Sequence, residues 1–473
     1  MDAAVVAIAG DGDADAGHRR PLLASADDDD EIRPYPASSP SPQHPAGAER
    51  KPRRVASLDV FRGLTVAMMI LVDDAGGAWP GMNHSPWLGV TVADFVMPAF
   101  LFIIGVSAAL VFKKTPNKTV ATKKAAIRAI KLFILGVILQ GGYIHGRHNL
   151  TYGIDLDHIR WLGVLQRIAI GYFLAAISEI WLVNNISVDS AISFVKKYFM
   201  EWIVAVMISA LYVGLLLGLY VSNWEFKVQT SNSILTIPTP GNEIGMKMIQ
   251  CGVRGSLGPP CNAVGFVDRV LLGENHLYKN PVYKRTKANQ KITSLIGFYS
   301  TLMAAVTCFV GLHFGHVLVH CKDHSPRMLL WLLASTVLTV SGFLLQLLGM
   351  PFSKPLYTVS YMLLTGGVSG FLLLLLYYIV DVINIKKPFI LFQWMGMNAL
   401  IVYVLAACEI FPTLVQGFYW RSPENNLVDL TESLLQTIFH SKRWGTLAFV
   451  VLEIIFWCLA ACFLHMKGIY LKL

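Results

Sequence analysis

Long apolar blocks, such as Phe95–Phe112 and Met328–Met350, constrain the folding of this 473-residue chain more than any other feature. A run of about 20 apolar residues crosses the hydrocarbon core of a bilayer as a helix. In that setting the backbone must satisfy its own hydrogen bonds, which leaves helices or closed barrels as the available structures. Composition agrees: 54% of the residues are apolar and 15% charged, whereas a soluble globule carries about 25% charged residues. The fold class expected is all-α, a polytopic helical bundle. Ten spanning helices are expected near 57–75, 92–112, 127–143, 160–183, 201–222, 295–319, 328–348, 359–382, 389–411 and 445–465.

The formal charge of +9 does not indicate nucleic acid. The basic residues sit in short loops between apolar blocks, where they act as topology signals. Arg50, Lys51, Arg53 and Arg54 precede the first helix, and Lys113, Lys114, Lys118, Lys123, Lys124 and Arg128 follow the second. The loop between those two helices has no Lys or Arg. Both termini are therefore expected in the cytosol, with loops after odd-numbered helices lumenal. Residues 1–49 form an acidic tail without an apolar face, expected to be disordered. The membrane domain then runs 50–473, with a long lumenal loop over 223–292. Cys251 and Cys261, ten apart in that loop, suit a disulfide in a non-cytosolic compartment.

Chemistry is sought where polar residues interrupt apolar helices, since an ionised side chain there needs a partner or an aqueous cavity. Asp73, His84, Asp94, Gln166 and Arg167 all fall near the lumenal ends of helices and could share one cavity. His84, in the short loop Gly81–Trp87, is the natural proton carrier near neutral pH. Asp73 or Asp94 beside it would fix its tautomer or favour its charged form. Asp59 and Arg62, three apart on one helical face, read as a structural ion pair, with a donor-binding role for Arg62 as the alternative. Lys123, Lys124 and Arg128 read first as topology signals under the positive-inside rule, with phosphate binding as the alternative.

Several segments carry a resemblance. Ser57–Gly63 (SLDVFRG), Asn83–Asp94 (NHSPWLGVTVAD), Gly163–Arg167, Gly265–Gly273, His276–Tyr278 and Gly396–Asn398 occur in one order over about 55 to 470. They resemble the lysosomal heparan-α-glucosaminide N-acetyltransferase family. The resemblance implies a multi-pass transferase that uses cytosolic acetyl-CoA and places the active-site histidine at His84. Asp94 and Asp73 are read as the supporting catalytic candidates, and Arg62, Gln166, Arg167 and Asn398 as the candidate substrate-binding groups. Family members carry Asn where this chain has Asp73. They also carry Asp-Pro-Glu-Gly before the sixth helix, where this chain reads Ala288-Asn289-Gln290-Lys291-Ile292.

The expected function is transfer of acetyl from acetyl-CoA to an amino sugar or related glycan on the lumenal side, in a lysosome- or vacuole-type membrane. His84 would act as base or as acetyl carrier. No metal is expected. The partners expected are membrane lipid, acetyl-CoA and the glycan acceptor, with a homodimer admitted. A multi-pass transporter of an organic anion or sugar is the main alternative, and a membrane scaffold or receptor a third. The topology has a direct test: glycosidase mapping should find sugar on Asn149 of the sequon Asn149-Leu150-Thr151 and none on Asn117 or Asn185. Sugar on either of the latter would reverse the orientation.

Overall fold

Each of the ten predicted segments contains helix. The computed structural model describes residues 55–113, 117–140, 159–184, 190–229, 244–259, 261–273, 283–285, 290–292, 297–407, 410–422 and 424–471, with 186, 188 and 276 singly. The acidic tail and Asn149 lie outside the described residues. The long helices are α1 (Ala56–Ala75), α2 (Val92–Phe112), α3 (Lys118–Gln140), α4 (Val164–Trp181) and α5 (Ala191–Gly218). The short α6 (Ala263–Leu272) precedes α7 (Phe298–His320), α8 (His324–Leu347) and α9 (Val359–Tyr377). Then come α10 (Ile390–Met397), α11 (Ala399–Val402), α12 (Ile410–Gln416), α13 (Leu427–Ile438) and α14 (Lys442–Met466).

Seven of the described helices are long and apolar enough to cross a membrane, or eight if the bent pair around Asn398 is one span. The expected ten is thus not met on those grounds. The helix expected over 389–411 is broken, and its halves meet at 72°. The helices α1 and α3 are long enough, but α1 carries Asp59, Arg62, Asp73 and Asp74, and α3 carries five Lys/Arg. Charge at the ends of a helix is tolerable, because long side chains reach the interface. The protein is an integral membrane protein.

The 223–292 segment departs from an all-helical reading. It holds two small antiparallel pairs, β2 (Trp224–Gln229) with β3 (Ile244–Ile249) and β5 (Tyr283–Arg285) with β6 (Gln290–Ile292), and its β4 (Val253–Arg254) pairs with β1 (Tyr220–Val221), just before it. Cys251 and Cys261 are disulfide-bonded there, with Sγ–Sγ 2.07 Å.

In a bilayer, apolar side chains gain little by leaving lipid for one another, so helices associate where small residues allow close van der Waals packing. That rule organises the bundle around α7, the most enclosed of the apolar helices, while α5, α8 and α14 turn apolar faces outward. The helices α2 and α7 meet through Gly105, Gly311 and Gly315. A methyl at Gly105 would strike Cys308 O, one at Gly311 would strike Phe102 O, and one at Gly315 would lie 2.6 Å from Ala109 Cβ. The successive contacts Phe102–Gly311 and Ala109–Gly315 mean that the two helices run parallel. A second seam joins α1 to α10 through Gly63, against Phe392 O, and Gly396, against Asp59 O.

Gly311→Leu should separate α2 from α7 and destabilise the bundle by about 1–3 kcal/mol or more, the scale of overpacking. Thermal unfolding in detergent, read by alkylation of the buried Cys308 thiol, should show a lower midpoint. Gly77→Ala, where no atom lies within 4 Å of the added methyl, is the control. Equal midpoints would refute the seam.

Candidate active site

The start of α2 builds the site. Thr91 is extended (φ −123°, ψ 176°) and precedes the helix. Its N–H and Oγ1–H both donate to Asp94 Oδ2, each at 3.0 Å. This is the reciprocal half of a capping box, and it satisfies an N–H the helix leaves unpaired. Ser85 N also donates to Asp94 Oδ2, at 3.2 Å. Asp94 thereby ties the 83–91 loop to α2, the helix that follows it. Gly89 turns the loop at φ +95°, a conformation that favours glycine, and its N–H donates to Phe352 O at 2.8 Å. Trp87 Nε1 donates to Leu257 O at 2.9 Å, which anchors the loop to the 223–292 segment.

The other carboxylate oxygen faces the chemistry. Asp94 Oδ1 lies 3.2 Å from His84 Nδ1 and 3.3 Å from Lys354 Nζ. Lys354 Nζ is 2.8 Å from His84 Nδ1. Asp94 is fully buried, whereas the His84 side chain is 48% exposed, so substrate can reach the imidazole while water cannot reach its anchor. A desolvated carboxylate is tolerable only when paired and hydrogen-bonded, and Asp94 has both. Two hydrogen-bond arrangements are open to the ring. If Nδ1–H points at Asp94, Nε2 is free to accept a proton. If Lys354 donates to Nδ1, Nε2 carries the hydrogen.

Lys354 was not singled out from the sequence. It enters on the segment between α8 and α9, which is held by several bonds. Thr358 Oγ1 donates to Pro351 O (2.9 Å), and Tyr212 OH donates to Leu356 O (2.8 Å). Tyr357 in this segment is buried in the left-handed region at φ +54°, a costly position for a bulky residue that the surrounding packing must hold. Burial pushes the Lys354 pKa down, and the Asp94 and Asp73 carboxylates oppose that. Tyr361 OH donates to Asp94 O and so joins α9 to the same point.

The remaining predicted residues divide. Asp73, exposed at the last turn of α1, lines a groove of about 660 Å³ with Asp74, Asp429, Glu432, Glu453 and Trp457. Asp73 is close enough to act electrostatically on Lys354. Arg167 is buried, and the Asp268 carboxylate of α6 is an acidic group acting on it. Asp268 Oδ1 accepts Phe298 N at 2.7 Å, and burial pushes its carboxyl up to about 6. Gln166 turns toward α3, where a methyl on Gly136 would lie 2.8 Å from its Oε1. Asn398 is buried at the break between α10 and α11, with neither amide atom hydrogen-bonded. Arg62 Nη1 lies 3.2 Å from Asp59 Oδ1 and 3.4 Å from Gly396 O, so it belongs to the α1–α10 seam. Arg128 stacks on the Tyr172 ring at 4.9 Å. The structure therefore assembles His84 with Asp94, leaves Asp73 at the margin, and puts Gln166, Asn398 and Arg62 in three other settings.

Comparison with known proteins finds a match to part of the chain. Residues 54–228 match the model described as "Heparan-alpha-glucosaminide N-acetyltransferase, catalytic", a stretch that contains Asp73, His84 and Asp94. The chain is 28% identical to the heparan-alpha-glucosaminide N-acetyltransferase of Mus musculus over 450 residues, 87% of this chain and 62% of that protein. It is 28% identical to the Homo sapiens protein of the same name over 437 residues, 86% of this chain and 60% of that one. The chain thus spans about three fifths of the length of these curated relatives.

Asp94→Asn should cost about 1.5–3 kcal/mol, the scale of hydrogen bonds to a charged group. The cost should drop when Lys354→Met is present, because the variant then leaves no buried ammonium unpaired. Thermal melts of the two single variants and the double variant measure the coupling. Strictly additive effects would remove Lys354 from the site.

Proposed function

Because the chain is a relative of the heparan-α-glucosaminide N-acetyltransferases, we propose that it is a membrane-embedded acetyltransferase with His84 as its reacting side chain. The observation that carries this reading is an accessible imidazole fixed against a fully buried carboxylate and beside an ammonium. Acetyl-CoA is the donor, and the acceptor is the amine of an amino sugar or related glycan.

In direct transfer, the acceptor nitrogen attacks the thioester carbonyl carbon and the C–S bond breaks. The amine proton passes to His84 Nε2, while Nδ1–H stays on Asp94. Lys354 supplies positive charge where the carbonyl oxygen becomes negative. In the two-step variant, His84 Nε2 attacks the thioester and CoA leaves as its thiolate; the amine then attacks the acetyl carbon, the C–Nε2 bond breaks, and the amine proton passes to Nε2. The groove lined by Asp73 and Asp74 carries further carboxylates, which suit a protonated amine. With the basic loops cytosolic, the site opens to the lumen, and a lysosome- or vacuole-type membrane follows from the family resemblance. Similarity to enzymes over most of the chain favours transfer over the transporter alternative.

His84→Ala should insert and fold normally, since it shortens a half-exposed loop side chain and leaves no cavity in the bundle. Acetyl transfer by the detergent-purified protein should fall about 10²-fold or more, the scale of losing a positioned general base. Acetyl-CoA binding should persist. Near-normal transfer by this variant would sink the mechanism. Flux of an organic anion into liposomes without acetyl consumption would revive the transporter.

A further inference from the structure

A second group of ionisable side chains lies inside the bundle, in membrane-spanning segments and away from His84. Glu201 of α5 and His313 and His316 of α7 each offer a ligating atom within 4.8 Å of the others. Glu179 of α4 joins them, with Oε2 2.6 Å from His316 Nε2. Glu201 and His316 are 0% and 1% exposed, and Glu201 Oε2 stands 3.8 Å from His316 Nε2, beyond hydrogen-bond distance. His316 Nδ1 and both ring nitrogens of His313 are buried without a hydrogen-bond partner.

Every imidazole must place at least one N–H and, when neutral, one lone pair. A histidine with neither satisfied, within a helix that crosses lipid, is a costly arrangement that needs a ligand to explain it. We propose that Glu201, His313 and His316 bind a divalent transition-metal ion of the zinc class, with Glu179 orienting His316. Imidazole and carboxylate are the donor set such ions take. A carboxylate on the far nitrogen is the pairing that orients a metal-bound histidine. The ring planes are already fixed: Tyr198 stacks on His316 at 3.6 Å, and Trp202 stacks on His313 at 4.4 Å. A divalent cation also balances the two buried carboxylates, as one proton would not.

The site is separate from the acetyl-transfer residues. Parallel packing sets Gly315 at the level of Val106 and Ala109, about 20 Å along α2 from Asp94 at 1.5 Å per residue. The metal would cross-link α5 and α7, with α4 tied in through Glu179 and His316, at the opposite end of the bundle from His84.

The full chain, purified in detergent without chelator and dialysed against trace Zn²⁺, should hold about one ion per chain by plasma mass spectrometry. Cobalt substitution should give the visible absorption of a low-coordinate imidazole–carboxylate site. Glu201→Gln and His316→Gln should each weaken metal affinity by about 10²-fold or more, while His84→Ala retains the ion. That last result separates the proposal from the transferase reading, since the metal would be present whether or not His84 transfers acetyl. Wild-type protein that takes up neither zinc nor cobalt overturns the site. Full affinity in both ligand variants overturns it as well, by placing the ion elsewhere.

Discussion

The buried carboxylate of Asp94 sets the terms for everything near it. A carboxylate taken out of water at the edge of a membrane helix must be compensated from the protein, at several points together. One oxygen is committed to the backbone of Ser85 and to Thr91, and the other faces His84 and Lys354. The same charge thus starts a helix, shapes a loop and aims an imidazole. Its position at the helix N-terminus, where backbone N–H groups converge, reduces the cost of keeping it ionised.

That arrangement needs a rigid frame. The frame comes from glycine seams, in which backbone approaches backbone and side chains cannot slide. The α2–α7 seam holds the helix that carries Asp94 against the core helix, and the α1–α10 seam holds Asp73's helix against the broken one. The break at Asn398 fits this picture. Two helix ends meet inside protein, and a polar side chain sits where helical hydrogen bonding is interrupted.

Much of this was legible from residue order. Apolar runs located the helices because lipid permits little else, and the charges of α1 and α3 are what keep those two from qualifying as spans. The Asp59–Arg62 spacing is local to one helical face, so the ion pair was readable. His84 and Asp94 lie ten residues apart, close enough for a shared polar patch to be suspected. Lys354 was not readable, because a lone lysine in a short loop looks like a topology signal and its partner is 270 residues away. Gln166 and Arg167 were recognised as polar intrusions, but neighbours in sequence point about 100° apart on a helix. One therefore turned to α3 and the other to Asp268. The buried histidines of α7 were hidden for the opposite reason, dispersed in a run so apolar that it reads only as a span.

The separation between His84 and Lys354 has a consequence for how the molecule is made. The two side chains touch, yet 270 residues lie between them. At synthesis rates of 5–20 residues per second, roughly 15–50 s pass between the emergence of one and of the other. During that interval the nascent chain has its reactive loop but lacks the cation that completes it. A chain interrupted before Lys354, at the end of α8, would carry the whole matched 54–228 stretch and still leave the Asp94 carboxylate without its ammonium. Completion of the site is thus a late event of biogenesis, coupled to insertion of the C-terminal half.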